Sequence, residues 1–216
     1  MNKEKFECSA SMLLKYVNCH TDGPIHKLRD SLTPDLDGFR LDVQSARDGV
    51  CVVTHSDSSS CLTCNDSLKR GVVKEIVGSS LRLIDALELP FKIVNIELIG
   101  EGVWKQALAA VEASGVLSRS IFSSFEHSEI LQLWSACHEA RCGLSWEDDE
   151  TANLNHEMLS NLPDDLKICI SMKAAKTRRD FWEPYRSRLI IWGAATPTEA
   201  QLLGFNPCVL TVDRTY

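Results

Sequence analysis

The stretch Leu36-Asp-Gly-Phe-Arg-Leu-Asp-Val-Gln-Ser-Ala-Arg-Asp-Gly-Val-Cys-Val-Val-Thr-His55 decides the fold. Residues 39–43 and 51–55 read as two strands, rich in β-branched and apolar side chains. The link between them covers only 44–50 and carries Asp48-Gly49, a tight-turn signal. A parallel crossover takes about a dozen residues or more, so this link is too short for one. The second strand is therefore expected to return antiparallel beside the first, as a short hairpin flap.

Outward from this hairpin, strand-like runs recur at 12–18, 93–98, 120–124, 142–145, 167–171, 189–192 and 208–212. Helical patterns fall between them at 102–114, 126–140, 153–162, 173–182 and 196–203. The last opens with Thr196 as cap, Pro197 in the first turn and Glu199 at the third position. Strand and helix in alternation predict a parallel sheet covered by helices. With the flap strand set aside, eight strands remain, and that count favours a closed (β/α)8 TIM barrel over an open doubly wound sheet. The open alternative also lacks a Gly-x-Gly-x-x-Gly after its first strand. Residues 56–80 are polar and Ser-rich and are expected to run over the surface near the barrel mouth. With no linker or repeat in view, 1–216 reads as a single domain.

The 216 residues carry 30 acidic and 23 basic side chains, a formal net charge of −7. That balance argues against nucleic acid, whose binding needs a basic surface to release condensed counterions, and against docking on anionic membrane. No apolar run reaches transmembrane length. Lys3, Glu4, Lys5 and Glu7 with no apolar stretch behind them do not resemble a signal peptide. Nine scattered cysteines form no disulfide framework, and a reduced, cytoplasmic chain is expected. Cys61-Leu-Thr-Cys64 has metal-like spacing but no second pair, whereas a structural zinc site takes four ligands.

Chemistry in such a barrel belongs at the carboxyl ends of the strands. His20, Arg40, Asp42 and Glu97 stand there, and His55 ends the hairpin. Arg40 and Asp42 are two apart on one strand and so share a face. Two carboxylates buried in a mouth are costly unless a cation or hydrogen bonds offset them. Each residue also has a bland reading, as a satisfied histidine or a local strand ion pair.

The quoted stretch resembles the central signature of the glycerophosphodiester phosphodiesterases, in which an acidic-x-Asp-Val strand leads through Asp-Gly to Val-Val-x-His. The likeness continues through Asn95-Ile-Glu97, Ser123-Ser-Phe125, Ile191-Trp192 and Thr211-Val-Asp213. It implies a TIM barrel of the phospholipase-C-like (PLC-like) phosphodiesterase type that hydrolyses a small glycerophosphodiester. By that resemblance His20 and His55 are the acid/base pair, and Asp42 and Glu97 hold a divalent cation, Mg or Ca. Arg40, Lys173 and Trp192 are the candidate substrate-binding residues, the last as an aromatic wall. The partner implied is a small phosphodiester or other anionic ligand.

The chain departs from the family pattern in its charges. Thr21 and Asp22 follow His20 where the family has Arg-Gly, Arg40 replaces a metal-binding Glu, and Ile99 replaces a phosphate-binding Lys. A guanidinium about 4 Å from a divalent ion is repelled by roughly 8 kcal/mol at an effective dielectric near 20. Arg40 must therefore swing away from a metal or take its place beside Asp42 or Glu97. Two functions follow: a divergent phosphodiesterase, or a catalytically impaired barrel of the same family that binds an anion or a protein partner.

Overall fold

The computed structural model describes residues 14–18, 29, 37–46, 48–54, 81–194, 199, 203–205 and 207–212. Its strands are β1 (Leu14–Asn18), β2 (Gly38–Ser45), β3 (Cys51–Thr54), β4 (Ile93–Leu98), β5 (Ser120–Ser124), β6 (Arg141–Ser145), β7 (Lys167–Ser171), β8 (Leu189–Ala194) and β9 (Val209–Val212). The helices are α1 (Leu83–Ala86), α2 (Val103–Ala113), α3 (His127–Ala136), α4 (Asp148–Asn153), α5 (His156–Ser160), α6 (Met172–Thr177) and α7 (Arg179–Trp182).

The strands form one sheet in the order β1-β9-β8-β7-β6-β5-β4-β2-β3. β1 pairs in parallel with both β9 and β2, so the parallel pairings run round eight strands and return to their start. β3 stands outside that circuit. It runs antiparallel to β2, with Ser45 opposite Cys51 and Asp42 opposite Thr54, as the short link demands. Gly38 lets β2 enter close to its neighbour, because a Cβ there would meet the Ile93 carbonyl oxygen at 1.6 Å.

Alternation along each strand separates two interiors. Phe39, Leu41 and Val43 point from β2 into the main apolar core, with Val94, Ile96 and Leu98 of β4 and with Ile130 and Leu133 of α3. The opposite faces of the strands build a smaller cluster of Ile93, Ile121, Cys169, Ile190, Cys208 and Val209. Arg40, Asp42, Asn95, Glu97, Ser123 and Ser145 occupy positions in step with that second set, and all are buried.

Helices differ from expectation in their breaks. Of the pattern read at 153–162 only His156–Ser160 is helical, as α5; Asn153 ends the preceding α4, and Leu154 and Asn155 between them are extended. The acidic run after Trp146 opens α4 through a reciprocal cap between Glu147 and Glu150. Acidic side chains suit the positive end of a helix, which accounts for the run. The pattern at 173–182 breaks at Arg178 into α6 and α7. The expected helix at 196–203 lies largely outside the described residues, as does all of 56–80, including Cys61 and Cys64. Five cysteines are described, Cys51, Cys137, Cys142, Cys169 and Cys208, and the first four are free thiols. No helix among the described residues is long and apolar enough to cross a membrane.

Candidate active site

Strand register brings the charged groups together. Asp42 of β2 lies level with Glu97 of β4, and Glu97 level with Ser123 of β5. Arg40 lies one step below, level with Asn95. The Arg40 guanidinium fills the space between the two carboxylates. Its Nη2 is 3.2 Å from Asp42 Oδ1 and 3.9 Å from Glu97 Oε2. The three side chains are only 10%, 7% and 5% exposed. Ion pairs this deep hold their geometry because each charge, once removed from water, has only its partners to stabilise it.

Glu97 also accepts from two hydroxyls. Ser145 donates to its Oε1 at 3.3 Å, and the Ser123 hydroxyl donates to its Oε2 while lying 3.1 Å from Asn95 Oδ1. Burial pushes the Glu97 carboxyl above the ordinary carboxylate range. The Arg40 charge and the two hydroxyls oppose that rise, and the Asp42 charge adds to it. Burial also drives up the Cys169 thiol, with the Glu97 charge contributing, so this cysteine is held as a neutral thiol and not as a nucleophile.

The divalent cation implied by the resemblance does not fit this donor set. Two carboxylates remain, and a permanently charged guanidinium already lies against both. Among the described residues no group of three or more His, Cys, Asp or Glu side chains could hold a metal ion.

His20 and His55 lie outside the described residues. The described residues shortly before them, Asn18 and Thr54, pair in register with Arg40 and Asp42 respectively. Lys173 stands in α6, just after β7, with Nζ 2.9 Å from Asp148 Oδ2 and its side chain 79% exposed. The Ser171 hydroxyl bonds the other Asp148 oxygen. These two contacts hold the Asp148 carboxyl below its usual range, and Asp148 raises the Lys173 ammonium. Trp192, level with Ser171 on β8, meets the ring of Phe125 edge-on at 6.1 Å. The indole Nε1 of Trp192 is buried with no hydrogen-bond partner among the described residues. Arg40, Asp42 and Glu97 thus form one cluster, whereas Lys173 is engaged by a carboxylate of its own.

Ser123, Ser145 and Asn95 were not among the candidates from sequence. Their signal was present: each is a polar residue at an inward position, in step with Glu97.

No protein-family profile matches the chain, and no curated protein sequence matches it. Solved structures do. A glycerophosphodiester phosphodiesterase from Thermotoga maritima is 16% identical with a TM-score of 0.68, over 94% of each chain. One from Parabacteroides distasonis is 13% identical with a TM-score of 0.68, again over 94% of each. An Oleispira antarctica phosphodiesterase, in complex with its product sn-glycerol-3-phosphate, is 15% identical with a TM-score of 0.69, over 95% of this chain and 94% of that one. The chain has the fold of the glycerophosphodiester phosphodiesterases, a TIM-barrel-like α/β architecture.

Proposed function

We propose that the protein is a divergent glycerophosphodiester phosphodiesterase, a single (β/α)8 barrel of the PLC-like type over residues 1–216, working in the cytoplasm. Its substrate is a small glycerophosphodiester or a related phosphodiester. The observation that carries this reading is the buried Arg40–Asp42–Glu97 cluster, set toward the carboxyl ends of β2 and β4 in a fold shared with such enzymes. Charged groups are not placed in a barrel interior for packing, since burial alone makes them costly.

In this reading one histidine of the pair His20 and His55 takes a proton from the attacking water or hydroxyl. The new bond forms at phosphorus, and the bond from phosphorus to the leaving alcohol breaks. The other histidine returns a proton to that alcohol. Both roles suit imidazole near neutral pH. Trp192 and Phe125 wall the mouth, and Lys173 adds a positive charge at the rim.

A second reading has a specific observation in its favour. Arg40 engages both carboxylates, which suits a catalytically impaired barrel that binds a phosphate-bearing ligand. Release of glycerol phosphate from a panel of glycerophosphodiesters, with His20→Ala and His55→Ala beside the natural protein, separates the two. Turnover lost in both variants supports the enzyme. Saturable binding of sn-glycerol-3-phosphate without turnover supports the binding barrel, and neither turnover nor binding overturns both.

A further inference from the structure

We infer that Arg40 is the built-in cation of this site, standing where a divalent ion would otherwise sit, so that the barrel recognises phosphate without metal. The inference rests on the proposed function for its ligand, and on the described geometry for its cation.

The geometry comes first. A magnesium or calcium ion bridging Asp42 and Glu97 would need carboxylate oxygens at about 2.0–2.6 Å. The volume that satisfies both carboxylates is the one Arg40 Nη2 already holds, 3.2 Å from Asp42 and 3.9 Å from Glu97. A lysine in that place could lose its proton and admit an ion. A guanidinium cannot, because it stays charged at any working pH.

The two contacts are unequal, and the inequality gives the cluster a way to take a ligand. Both are ion pairs, but Arg40 lies closer to Asp42 than to Glu97, and Asp42 Oδ1 accepts no hydrogen bond among the described residues. Glu97 keeps its two hydroxyl donors, Ser123 and Ser145, whatever Arg40 does. The guanidinium can therefore turn from Glu97 toward an incoming phosphate while Asp42 still anchors it. A planar fork of donors suits two phosphate oxygens, a geometry that arginine provides and a point charge does not. Arg40, Asp42 and Glu97 together carry a charge of −1, so the expected affinity for phosphate is modest.

The test reads binding, not turnover. Natural protein, Arg40→Glu and Arg40→Gln are titrated calorimetrically with Mg2+ and Ca2+, and the natural protein with sn-glycerol-3-phosphate in the presence and absence of EDTA. The natural protein is expected to show no saturable metal binding and an EDTA-insensitive response to glycerol phosphate. Arg40→Glu, with a third carboxylate, is expected to gain metal affinity by about tenfold or more. Should Arg40→Glu fail to fold by circular dichroism, the neutral Arg40→Gln is expected to show a smaller gain. One tightly bound metal per natural chain, glycerol phosphate binding abolished by EDTA, or no gain of metal binding in a folded variant would each overturn the inference. Absence of turnover alone would count against the enzyme reading and leave this one standing.

Discussion

The two ends of the barrel use positive charge in opposite ways. Toward the carboxyl ends of the strands one guanidinium is buried between two carboxylates. At the amino ends, a basic residue stands at the entrance to each of five consecutive strands: Lys92, Arg119, Arg141, Lys167 and Arg188 before or at the start of β4 to β8. Four of these donate to backbone carbonyls of neighbouring entrances: Arg119 to Phe91, Arg141 to Ser118, Lys167 to Ser187, and Arg188 to both Leu166 and Pro163. Lys92 pairs instead with Asp37 at 2.7 Å. The lower cations tie loops to strands and remain at least partly in contact with water. The upper one lies between two buried carboxylates, so its loss removes the positive charge that sits against both.

Arg40→Met is the harshest way to break this contrast. It leaves Asp42 and Glu97 buried side by side, and is expected to cost about 3–5 kcal/mol in urea unfolding. Millimolar calcium should restore part of that loss in the variant and do nothing for the natural protein. A cost below about 1 kcal/mol, typical of a surface pair, would place the cluster with the exposed cations. At the other end, Arg188→Ala removes donors to two carbonyls from a side chain only 12% exposed. It is expected to cost about 1.5–3 kcal/mol, less than the upper substitution, since water can reach part of the gap.

A pH series sharpens the same contrast. The folded Glu97 carboxyl is raised above its ordinary value of 4.5. As pH climbs past that value the unfolded chain releases this proton first, while the folded chain still holds it. The Glu97 contribution to stability is therefore greatest below the unfolded pKa and declines as pH rises toward the folded pKa. Glu97→Gln removes this dependence, so its stability relative to the natural protein should improve from pH 4 to pH 7 (about three units). A constant difference across the series would contradict it. The smallest effect is expected from Lys92→Ala, whose side chain is 70% exposed and whose loss should change stability by less than about 1 kcal/mol.

Much of this was legible in the residues. The 44–50 link is too short for a crossover, and the hairpin is where that limit requires it. Arg40 and Asp42 share a face because strands alternate, and the pairing with Glu97 follows from their register. The serines that hold Glu97 were harder to read, since Ser123 and Ser145 are ordinary strand residues until the rows of neighbouring strands are aligned. Helix breaks were hidden for another reason. Apolar spacing persists through Leu154 and Arg178, while the backbone there leaves the helical region. α4 was masked by its own composition, because acidic residues that cap a helix look like solvated loop when the cap is not seen.

The central claim is that Arg40 does the work of a metal, and a crystal structure grown with manganese and sn-glycerol-3-phosphate tests it most directly. The account predicts phosphate oxygens on the Arg40 guanidinium, the Arg40–Asp42 pair retained, and no anomalous peak between Asp42 and Glu97. A manganese peak coordinated by both carboxylates, with Arg40 turned out of the cluster, would contradict it.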